Sequence, residues 1–321
     1  MVLLGCLLSF ALCFVLVPPV IALAWRIGAV DVPCDWRRMH CESIPRAGGI
    51  AIFVSFAVAC AVFGGGSPFL ICTLCGGALM LAVGLADDIF CLPAFFKLLF
   101  QIAAATAAVF GSGIATGGQA APAIFWVVML SNAHNFIDGL DGLFAGCAAI
   151  EGVALSLAFV VCGMTGEAML PLFLALSCLA FRHFNRYPAQ IFAGDCGSGT
   201  VGFLLGMLSL PLFGGVDGGI SMLAPFLLFA YPLTDLFTAV LRRILRGKSP
   251  FAADRAHLHH RICAVGLTHP QCGGVLLLIT GALGTVGVLI GAEIYLVPAF
   301  FASLAAAVLL MRIRRFITDC Q

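Results

Sequence analysis

Charged residues are scarce in this chain. Asp, Glu, Lys and Arg together make up 10% of its 321 residues, against roughly 25% in an ordinary soluble domain. The formal net charge is only +1, which excludes a nucleic-acid-binding protein that depends on a basic surface. Hydrophobic residues make up 62% of the chain, and the mean hydropathy is +1.13. This composition excludes a soluble globular enzyme and a disordered protein, and it predicts a polytopic membrane protein.

Long apolar stretches separate the few charged residues. A transmembrane strand needs only ~10 residues of alternating pattern, whereas a transmembrane helix needs about 20 apolar residues. Five stretches are 34 to 43 residues long, and each has a cluster rich in glycine near its middle that predicts a turn. They cover residues 47–86, 98–131, 142–181, 199–241 and 270–311. With a first helix at residues 2–25, these five hairpins predict an all-α bundle of about eleven transmembrane helices in a single membrane-embedded domain, residues 1–321.

The basic residues predict the orientation of this bundle. All sixteen Lys and Arg residues lie at the ends of the hairpins and none lies in the central turns, which instead contain Glu167, Asp217 and Glu293. The positive-inside rule places the basic ends in the cytoplasm, so the amino terminus is predicted outside and the carboxyl terminus in the cytoplasm. No basic residue precedes the first apolar stretch, and the first charged residue of the chain, Arg26, follows it. We therefore expect a retained helix and not a cleaved signal peptide.

Acidic residues and all seven histidines gather on the same side, in or next to five polar segments. These are residues 31–49, 84–101, 132–142, 184–202 and 249–261, called here the first to fifth polar segments. Only Glu151 and Asp235 are clear acids within the predicted helices. Loops that merely orient helices need Lys and Arg but not Asp, Asn and His. Polar groups gathered at the edge of a membrane bundle indicate a functional site.

The second polar segment contains adjacent carboxylates, Asp87 and Asp88, followed by Lys97 near the start of the next helix. Adjacent carboxylates repel each other unless a cation or a hydrogen-bond donor lies between them and a partner. Magnesium suits such a pair, because it takes one or two carboxylates together with substrate phosphates. Lys97 could pair with a phosphate, or it could extend its charge to the membrane surface.

The third and fourth polar segments are rich in oxygen ligands and glycine. Asn135, Asp138 and Asp141 recur every three residues, so one face of a turn could present all three, but the register of an EF-hand calcium loop is absent. The fourth segment contains Asp195 and a GxGxxG pattern at residues 197–202. A dinucleotide site would need a βαβ unit, which membrane helices exclude. We interpret the small residues as a phosphate cradle at a helix start.

The first and fifth polar segments each leave two interpretations. Gly48 and Gly49 could hold an anionic group at the start of the next helix, or the basic residues around them could mark a cytoplasmic boundary. His257, His259 and His260 could bind zinc, yet no Cys or Glu completes a tetrahedral site at the usual spacing. Hydrogen bonds from these histidines to phosphate or sugar oxygens are the favoured interpretation.

Together the five segments resemble one family, the polyprenyl-phosphate N-acetylhexosamine-1-phosphate transferases. The resemblance covers nearly the whole chain in the family's order, through DVPCDWRRMHCESIPRAGG, GLADD, NFIDGLDGL, IFAGDCGSGTVGF and SPFAADRAHLHHRI. The fifth string resembles the bacterial branch that starts O-antigen, enterobacterial common antigen and teichoic-acid chains. Two residues depart from the family's pattern: Ala193 stands where Met is common, and His134, inside the third polar segment, has no assigned role.

The resemblance implies a reaction. A polyprenyl phosphate attacks the β-phosphorus of a UDP-N-acetylhexosamine, and UMP leaves. The expected lipid is undecaprenyl phosphate, and the expected donor is UDP-GlcNAc. The enzyme would lie in the bacterial cytoplasmic membrane with its active site on the cytoplasmic face, would use Mg²⁺ (or Mn²⁺), and could form a homodimer by family analogy. Two alternatives stay open: another donor, such as UDP-QuiNAc, UDP-FucNAc or UDP-MurNAc-pentapeptide, and a transporter or flippase, whose ionisable groups should lie near the bilayer midplane.

The resemblance also implies roles for individual residues. Asp195 would ligate magnesium, assisted by Asp87 or Asp88, and one of that pair would deprotonate or place the lipid phosphate. Lys97 would face the lipid phosphate or the diphosphate. The residues expected around the nucleotide and metal are Asn135, Asp138 and Asp141, with Phe192 stacked on uracil. Those expected to hold the diphosphate and sugar are Arg255, His257, His259 and His260, with His259 also counted as catalytic.

Overall fold

The chain is almost entirely helical. A computed structural model describes residues 1–32, 43–213, 223–249, 257–264 and 266–292, apart from the His260 side chain. Within these residues the only strands are β1 (Val30–Asp31) and β2 (Ile44–Pro45), which pair antiparallel with Val30 opposite Pro45. Seven helical segments there are long and apolar enough to cross a membrane. The protein is therefore an all-α polytopic membrane protein, as its composition predicts.

The helices follow the predicted hairpins. Their bounds are α1 Val2–Ile27, α2 Gly49–Phe63, α3 Pro68–Phe90, α4 Ala94–Ser112, α5 Ala120–Ile137, α6 Leu143–Val161, α7 Met169–Asn185, α8 Asp195–Ser209, α9 Leu223–Leu228, α10 Ala230–Leu245, α11 Leu258–Cys263 and α12 His269–Gly291. Single 3-10 turns precede α5 and follow α8. The central turn of the fourth hairpin and the second half of the fifth lie outside the described residues. The count of eleven helices and the orientation of the termini stay predictions.

The predicted turn residues end and start these helices by known local chemistry. Ser67 caps α3, because its Oγ accepts a hydrogen bond from the Leu70 N–H at 3.2 Å, and Pro68 occupies the first helical position. Gly113 ends α4 in the left-handed conformation, with a φ of 68°. These signals are local in sequence, which is why the first three hairpins could be predicted.

Helix α8 lies in the middle of the bundle, packed between α3 and α5 and also against α2. Every residue from Cys196 to Ser209 is buried. Glycines allow this close approach: a Cβ added to Gly84 of α3 would lie 2.4 Å from the Cα of Cys196. A Cβ added to Gly202 would lie 2.5 Å from the carbonyl oxygen of Leu130 on α5. Gly202 of the GxGxxG pattern therefore serves helix packing, whereas Gly199 lines the cavity described below. The interpretation of the pattern as a phosphate cradle stays a prediction.

Replacing one of these glycines should destabilise the bundle. We expect Gly202→Ala to lower the free energy of unfolding by about 1–3 kcal/mol, because the added methyl overpacks the α5–α8 contact. Gly281→Ala, inside α12, is the matched control, since nothing lies within 4 Å of its added Cβ. That control should be neutral or stabilise by up to about 1 kcal/mol. Thermal unfolding in detergent measures both, and an equal response of the two variants would contradict the packing role.

Candidate active site

The five polar segments meet at one end of the bundle. Asp87 and Asp88 lie at the end of α3, whereas Lys97 and Asp195 lie in the first turns of α4 and α8. Each segment contacts another through a side chain. The contacting pairs are Arg46 with Asp88, Lys97 with Asp195, Ser198 with Asn135, and Phe136 with His257. The predicted convergence of these segments on one face is thus confirmed for their described residues.

Lys97 joins two carboxylates from different helices. Its Nζ donates hydrogen bonds to Asp87 Oδ2 and to Asp195 Oδ2, each at 2.8 Å. The second oxygen of Asp87 accepts the backbone N–H of Leu92 at 2.7 Å, which fixes the turn between α3 and α4. The Asp195 side chain is 24% exposed and Lys97 27%. This group of three therefore combines firm positioning with access from outside.

Asp88 faces the interior and holds the start of α8. Its Oδ1 accepts hydrogen bonds from Arg46 Nε at 2.8 Å and from the Asp195 N–H at 3.0 Å, and its Oδ2 accepts from the Cys196 N–H at 3.0 Å. The Asp88 side chain is fully buried. The oxygens of Asp88 bond Arg46 and the start of α8, whereas those of Asp87 bond Lys97 and the Leu92 N–H, so the two adjacent carboxylates have different partners.

Among the described residues, the first amides of α2 and α8 are already bonded within the protein. The first amides of α8 bond Asp88, as described above. At the start of α2, the N–H of Gly48 donates to Phe192 O and that of Gly49 to Ala193 O, each at 3.1 Å. The interpretation of Gly48 and Gly49 as an anion site is therefore wrong, and these amides instead join the first segment to the fourth.

Asn135 and Asp138 lie close to Asp195. The Ser198 hydroxyl donates to Asn135 Oδ1 at 2.8 Å, and Asn135 Nδ2 lies 3.5 Å from Asp195 Oδ2. Burial raises the pKa of Asp138 to about 8, and the carboxylates of Asp195 and Asp88 act in the same direction. The carboxyl groups of Asp88, Asp138 and Asp195 thus lie near enough to influence one another, and Arg46 opposes their effect on the Asp138 pKa.

Asp141 holds the fourth segment in place. Its Oδ2 accepts the backbone N–H of Ala189 at 3.0 Å. Next to it, the Gly142 N–H donates to Asn185 Oδ1 at 3.1 Å, and Asn185 Nδ2 donates to Ile191 O at 2.9 Å. Gly142 has a φ of 71°, a left-handed conformation that favours glycine. The contacts of Asp141 described here are therefore with the loop before α8 and not with Asp195.

Asp235 of α10 anchors the described part of the fifth segment. Its Oδ2 lies 2.8 Å from His257 Nδ1, and its Oδ1 accepts the Leu258 N–H at 2.7 Å. This carboxylate therefore fixes the orientation of the His257 ring and leaves Nε2 as its other functional atom. Asp235 was not among the site residues predicted from the sequence. An acid inside an apolar helix nevertheless indicates a functional role, and this was the one sequence feature that could have identified it.

His257 and His259 occupy different environments. Their rings are stacked with centroids 5.7 Å apart. His257 lines the cavity described below, whereas His259 is buried, with 1% of its surface exposed. A Cβ added to Gly139 would lie 2.6 Å from His259 Nε2, so the ring supports the loop between α5 and α6 from beneath.

A cavity of about 590 Å³ opens beside these groups. Its polar lining comprises Lys97, Gln101, Asn132, Asn135, Asp195, Arg243 and His257. Its apolar lining includes Leu98, Phe125, Val128, Leu236, Phe237 and Val240. Phe125 is 65% exposed and Phe237 52% exposed on the outer surface. The cavity therefore joins a charged site to an apolar flank of the bundle.

Three polar residues of this lining were not selected from the sequence. Asn132 Nδ2 donates to Gln101 Oε1 at 2.7 Å, which links α5 to α4. The Arg243 guanidinium lies over the Phe136 ring, 5.1 Å from its centroid. Asn132 and Gln101 lie within the polar segments, but their pairing depends on helix packing that no sequence pattern records.

Some predicted residues lie away from the cavity or outside the description. The Phe192 side chain is half-buried and is not part of the cavity lining, while its backbone pairs with the first segment. Arg255 and the side chain of His260 lie outside the described residues. The structure thus brings together Asp87, Lys97, Asn135, Asp195 and His257, with Asp88 and His259 behind them.

Comparisons with known proteins agree with this arrangement. The sequence profile of Glycosyl transferase family 4 matches residues 70–213, which include the paired aspartates, Lys97 and Asp195. The "Probable undecaprenyl-phosphate N-acetylglucosaminyl 1-phosphate transferase" of Bacillus subtilis is 33% identical, over 85% of this chain and 80% of that protein. The "Decaprenyl-phosphate N-acetylglucosaminephosphotransferase" of Mycobacterium tuberculosis is 33% identical, over 82% and 76%.

A third relative is more distant. The "Undecaprenyl-phosphate alpha-N-acetylglucosaminyl 1-phosphate transferase" of Escherichia coli is 27% identical, over 83% of this chain and 77% of that protein. All three alignments run over most of both chains. From these alignments and the profile match, we conclude that the chain belongs to glycosyl transferase family 4.

Proposed function

We propose that this protein transfers N-acetylglucosamine-1-phosphate from UDP-GlcNAc to a polyprenyl phosphate. A phosphate oxygen of the lipid forms a bond to the β-phosphorus of the donor. The bond from that phosphorus to the oxygen bridging to UMP breaks, UMP leaves with the bridging oxygen, and the polyprenyl-diphosphate sugar stays in the membrane. The names of the relatives support the sugar and the lipid class.

The observation that carries the proposal is the cavity that joins a charged site to an apolar flank. A lipid phosphate needs apolar walls for its chain and cations for its head group. Phe125 and Phe237, exposed on the outer surface, offer the chain an apolar entry, and Lys97 lies at the polar end. A soluble nucleotide sugar can approach the same polar end from water, so the two substrates meet without the lipid leaving the membrane.

The residues at the polar end fit a magnesium ion that is completed by substrate. No three His, Cys, Asp or Glu residues among those described form a ready metal cluster. Mg²⁺ does not need one, because one or two carboxylates plus substrate phosphates and water complete its octahedron. Asp195 and Asp87 would supply the carboxylates, because Oδ2 of each faces Lys97, which lines the cavity. The oxygens of Asp88 instead face Arg46 and the backbone of α8. Mn²⁺ takes the same oxygen ligands. The ion would neutralise phosphate charge in the transition state.

The protein's own groups then have separable tasks. Lys97 offsets the charge of the incoming phosphates, and Asp87 orients the lipid phosphate or accepts its proton. His257, held by Asp235, presents Nε2 to the diphosphate or sugar, and His259 supports the 138–141 loop through Gly139. Asn135 and Asp138 would lie next to the metal and the nucleotide. Asp141 would act indirectly, because it fixes the loop before α8 through the Ala189 N–H.

The remaining roles are carried by the family resemblance. Phe192 would stack on uracil, and Arg255 and His260 would bind the diphosphate. A transporter is not favoured, because the ionisable groups that line the cavity lie at helix ends, whereas transport sites lie near the bilayer midplane. A homodimer stays a prediction by analogy.

The deciding experiment measures UMP release by purified protein with undecaprenyl phosphate, Mg²⁺ and UDP-GlcNAc. Parallel reactions replace the donor with UDP-QuiNAc, UDP-FucNAc or UDP-MurNAc-pentapeptide, and omit lipid or metal in turn. We expect release with UDP-GlcNAc that needs both lipid and metal. Release with a different donor alone would correct the sugar, and no release from folded protein with any donor would contradict the reaction.

We also propose that the protein lies in the bacterial cytoplasmic membrane with this site on the cytoplasmic face, where nucleotide sugars are made. A reporter active only in the periplasm should give a signal when inserted after Gly65, in the turn between α2 and α3, and none when inserted after Arg46. The reverse pattern would overturn the orientation.

Asp235 gives a prediction for the fifth segment. Asp235→Asn weakens the acceptor that orients His257, and we expect UMP release to fall roughly 10- to 100-fold, by analogy with metal-bound histidines, for which losing the orienting partner costs that much. Thr238→Val is the control, because the bonds of Thr238 Oγ1 within the described residues are to carbonyls of its own helix, those of Thr234 and Asp235. Steady-state kinetics of both variants, with matched thermal unfolding, test this. Equal activities would remove Asp235 from the site.

A further inference from the structure

A histidine and a glutamate form a fully buried pair beneath the third polar segment. His134 lies on α5 and Glu151 on α6, the two helices that flank the 138–142 loop, and both side chains are 0% exposed. His134 Nε2 lies 2.7 Å from Glu151 Oε2, and its Nδ1 lies 2.8 Å from the carbonyl oxygen of Leu130. The rings of Phe144 and Phe229 lie beside the imidazole. The pair is thus enclosed in apolar surroundings.

The contacts restrict where the protons are. A carbonyl oxygen only accepts, so Nδ1 of His134 carries a hydrogen. The contact between Nε2 and Glu151 Oε2 then holds one proton, either on the ring or on the carboxyl group. Both arrangements leave the pair without net charge, as burial in an apolar environment requires.

Stability alone does not account for this pair. Glu151 Oε1 has no hydrogen-bond partner among the described residues, and such a buried oxygen carries a desolvation cost. Replacing a buried ionisable pair with apolar residues of similar size is often neutral or stabilising. The pair is therefore better explained by a role in function than by a contribution to stability.

The position of the pair points to that benefit. The same turns of α5 pack on α8: Ser131 Oγ donates to Gly199 O at 2.8 Å, and a Cβ on Gly202 would lie 3.0 Å from His134 Cβ. Asn135, the residue after His134, accepts from Ser198 and faces Asp195. One short stretch of α5 is therefore held by α6 on one side and carries an active-site residue towards α8 on the other.

We propose that the His134–Glu151 pair is a positioning device that fixes the rotation of α5 and so places Asn135 against Asp195 and Ser198. Its kinetic consequences rest on the proposed transfer reaction. In that reaction the pair acts on the metal and nucleotide side of the site, because that is where Asn135 lies, and not on the apolar flank that would receive the lipid chain.

The test uses variants that separate a hydrogen bond from mere packing. Glu151→Leu leaves His134 Nε2 without a partner, and we expect kcat for UMP release to fall roughly 10- to 100-fold, with the lipid KM unchanged. Glu151→Gln can donate to Nε2 while Nδ1 keeps its hydrogen, so it should restore kcat to within about threefold. The double variant His134→Leu/Glu151→Leu should fold as stably as the wild type and still be slow.

Ser55→Ala is the matched control, because it removes another buried hydrogen bond between helices, from Ser55 Oγ to Ser177 Oγ at 2.9 Å, away from the site. It should leave kcat unchanged. The proposal is overturned if folded Glu151→Leu keeps kcat within twofold of the wild type, or if Glu151→Gln is as slow as Glu151→Leu. The double variant with normal kcat would overturn it as well.

A second readout separates this proposal from the proposed function. Hydrogen exchange of residues 131–141, followed by mass spectrometry, should be faster in Glu151→Leu and normal in Glu151→Gln. If the wild type releases no UMP, the transfer reaction fails, and this exchange pattern alone decides the pair: unchanged exchange in Glu151→Leu would refute it, and faster exchange confined to that variant would support it.

Discussion

Asp195→Asn is expected to abolish UMP release, with a loss of at least roughly 1,000-fold. The substitution keeps the size of the side chain but removes the negative charge that would bind Mg²⁺ and that pairs with Lys97 at 2.8 Å. Removing one group that stabilises transition-state charge commonly costs 100- to 1,000-fold, about 3–4 kcal/mol, and here a metal ligand is lost as well. The fold should survive, because Lys97 keeps its bond to Asp87.

The measurement is UMP release as a function of Mg²⁺ concentration, together with thermal unfolding. Glu167→Gln is the control, since Glu167 is an exposed acid in the turn between α6 and α7, away from the cavity. It should behave as the wild type does. Magnesium-dependent release by folded Asp195→Asn within tenfold of the wild type would remove Asp195 from the proposed metal site.

The second large effect should separate the two adjacent aspartates. Asp88→Ala leaves Arg46 and the first amides of α8 without their carboxylate, so we expect the free energy of unfolding to fall by about 3 kcal/mol and activity to be lost with it. Asp87→Ala should also abolish activity but should lower the free energy of unfolding by only about 1 kcal/mol, because Asp87 bonds the Leu92 N–H and Lys97, and Lys97 keeps its bond to Asp195. Both variants thus lose activity, and they differ in how much stability is lost.

Thermal unfolding in detergent and UMP release from the folded fraction measure this contrast. Cys91→Ser is a suitable control, since Cys91 lies at the end of the same helix with an exposed side chain. If Asp87→Ala were the destabilised variant and Asp88→Ala the stable one, the separation of roles derived from the hydrogen bonds would be wrong.

Much of the fold was predictable because its signals are local. Hydropathy and turn residues such as Ser67 and Gly113 determine where helices begin and end, and the basic residues mark which ends lie together. The selection of Asp87, Lys97, Asn135 and Asp195 also followed from sequence, through the family resemblance. What these predictions share is that each depends on residues close in sequence or on a string that could be matched directly.

The division of labour between residues was not predictable, because it depends on packing between distant helices. Adjacent residues of a helix point about 100° apart, and only the position of α8 determines that Asp88 caps it while Asp87 faces Lys97. In the same way, Gly139 and His259 are in contact although 120 positions separate them. The contact between Asp235 and His257 could not be predicted from the residues around either one. An acid in an apolar helix indicated only that it should have some partner.

The central place of α8 has a consequence for the order in which the molecule is completed. During synthesis the chain emerges from its amino end, so α2, α3 and α5 reach the membrane before α8 does. Until residues 195–209 arrive, Asp88 and Ser131 lack the backbone groups that they bond in the finished bundle. When α8 arrives, it brings the Asp195 and Cys196 amides to Asp88 and the Gly199 carbonyl to Ser131. The side chain of Asp195 reaches Lys97 in the same step, whereas His257 is added only later, with the residues that follow α10.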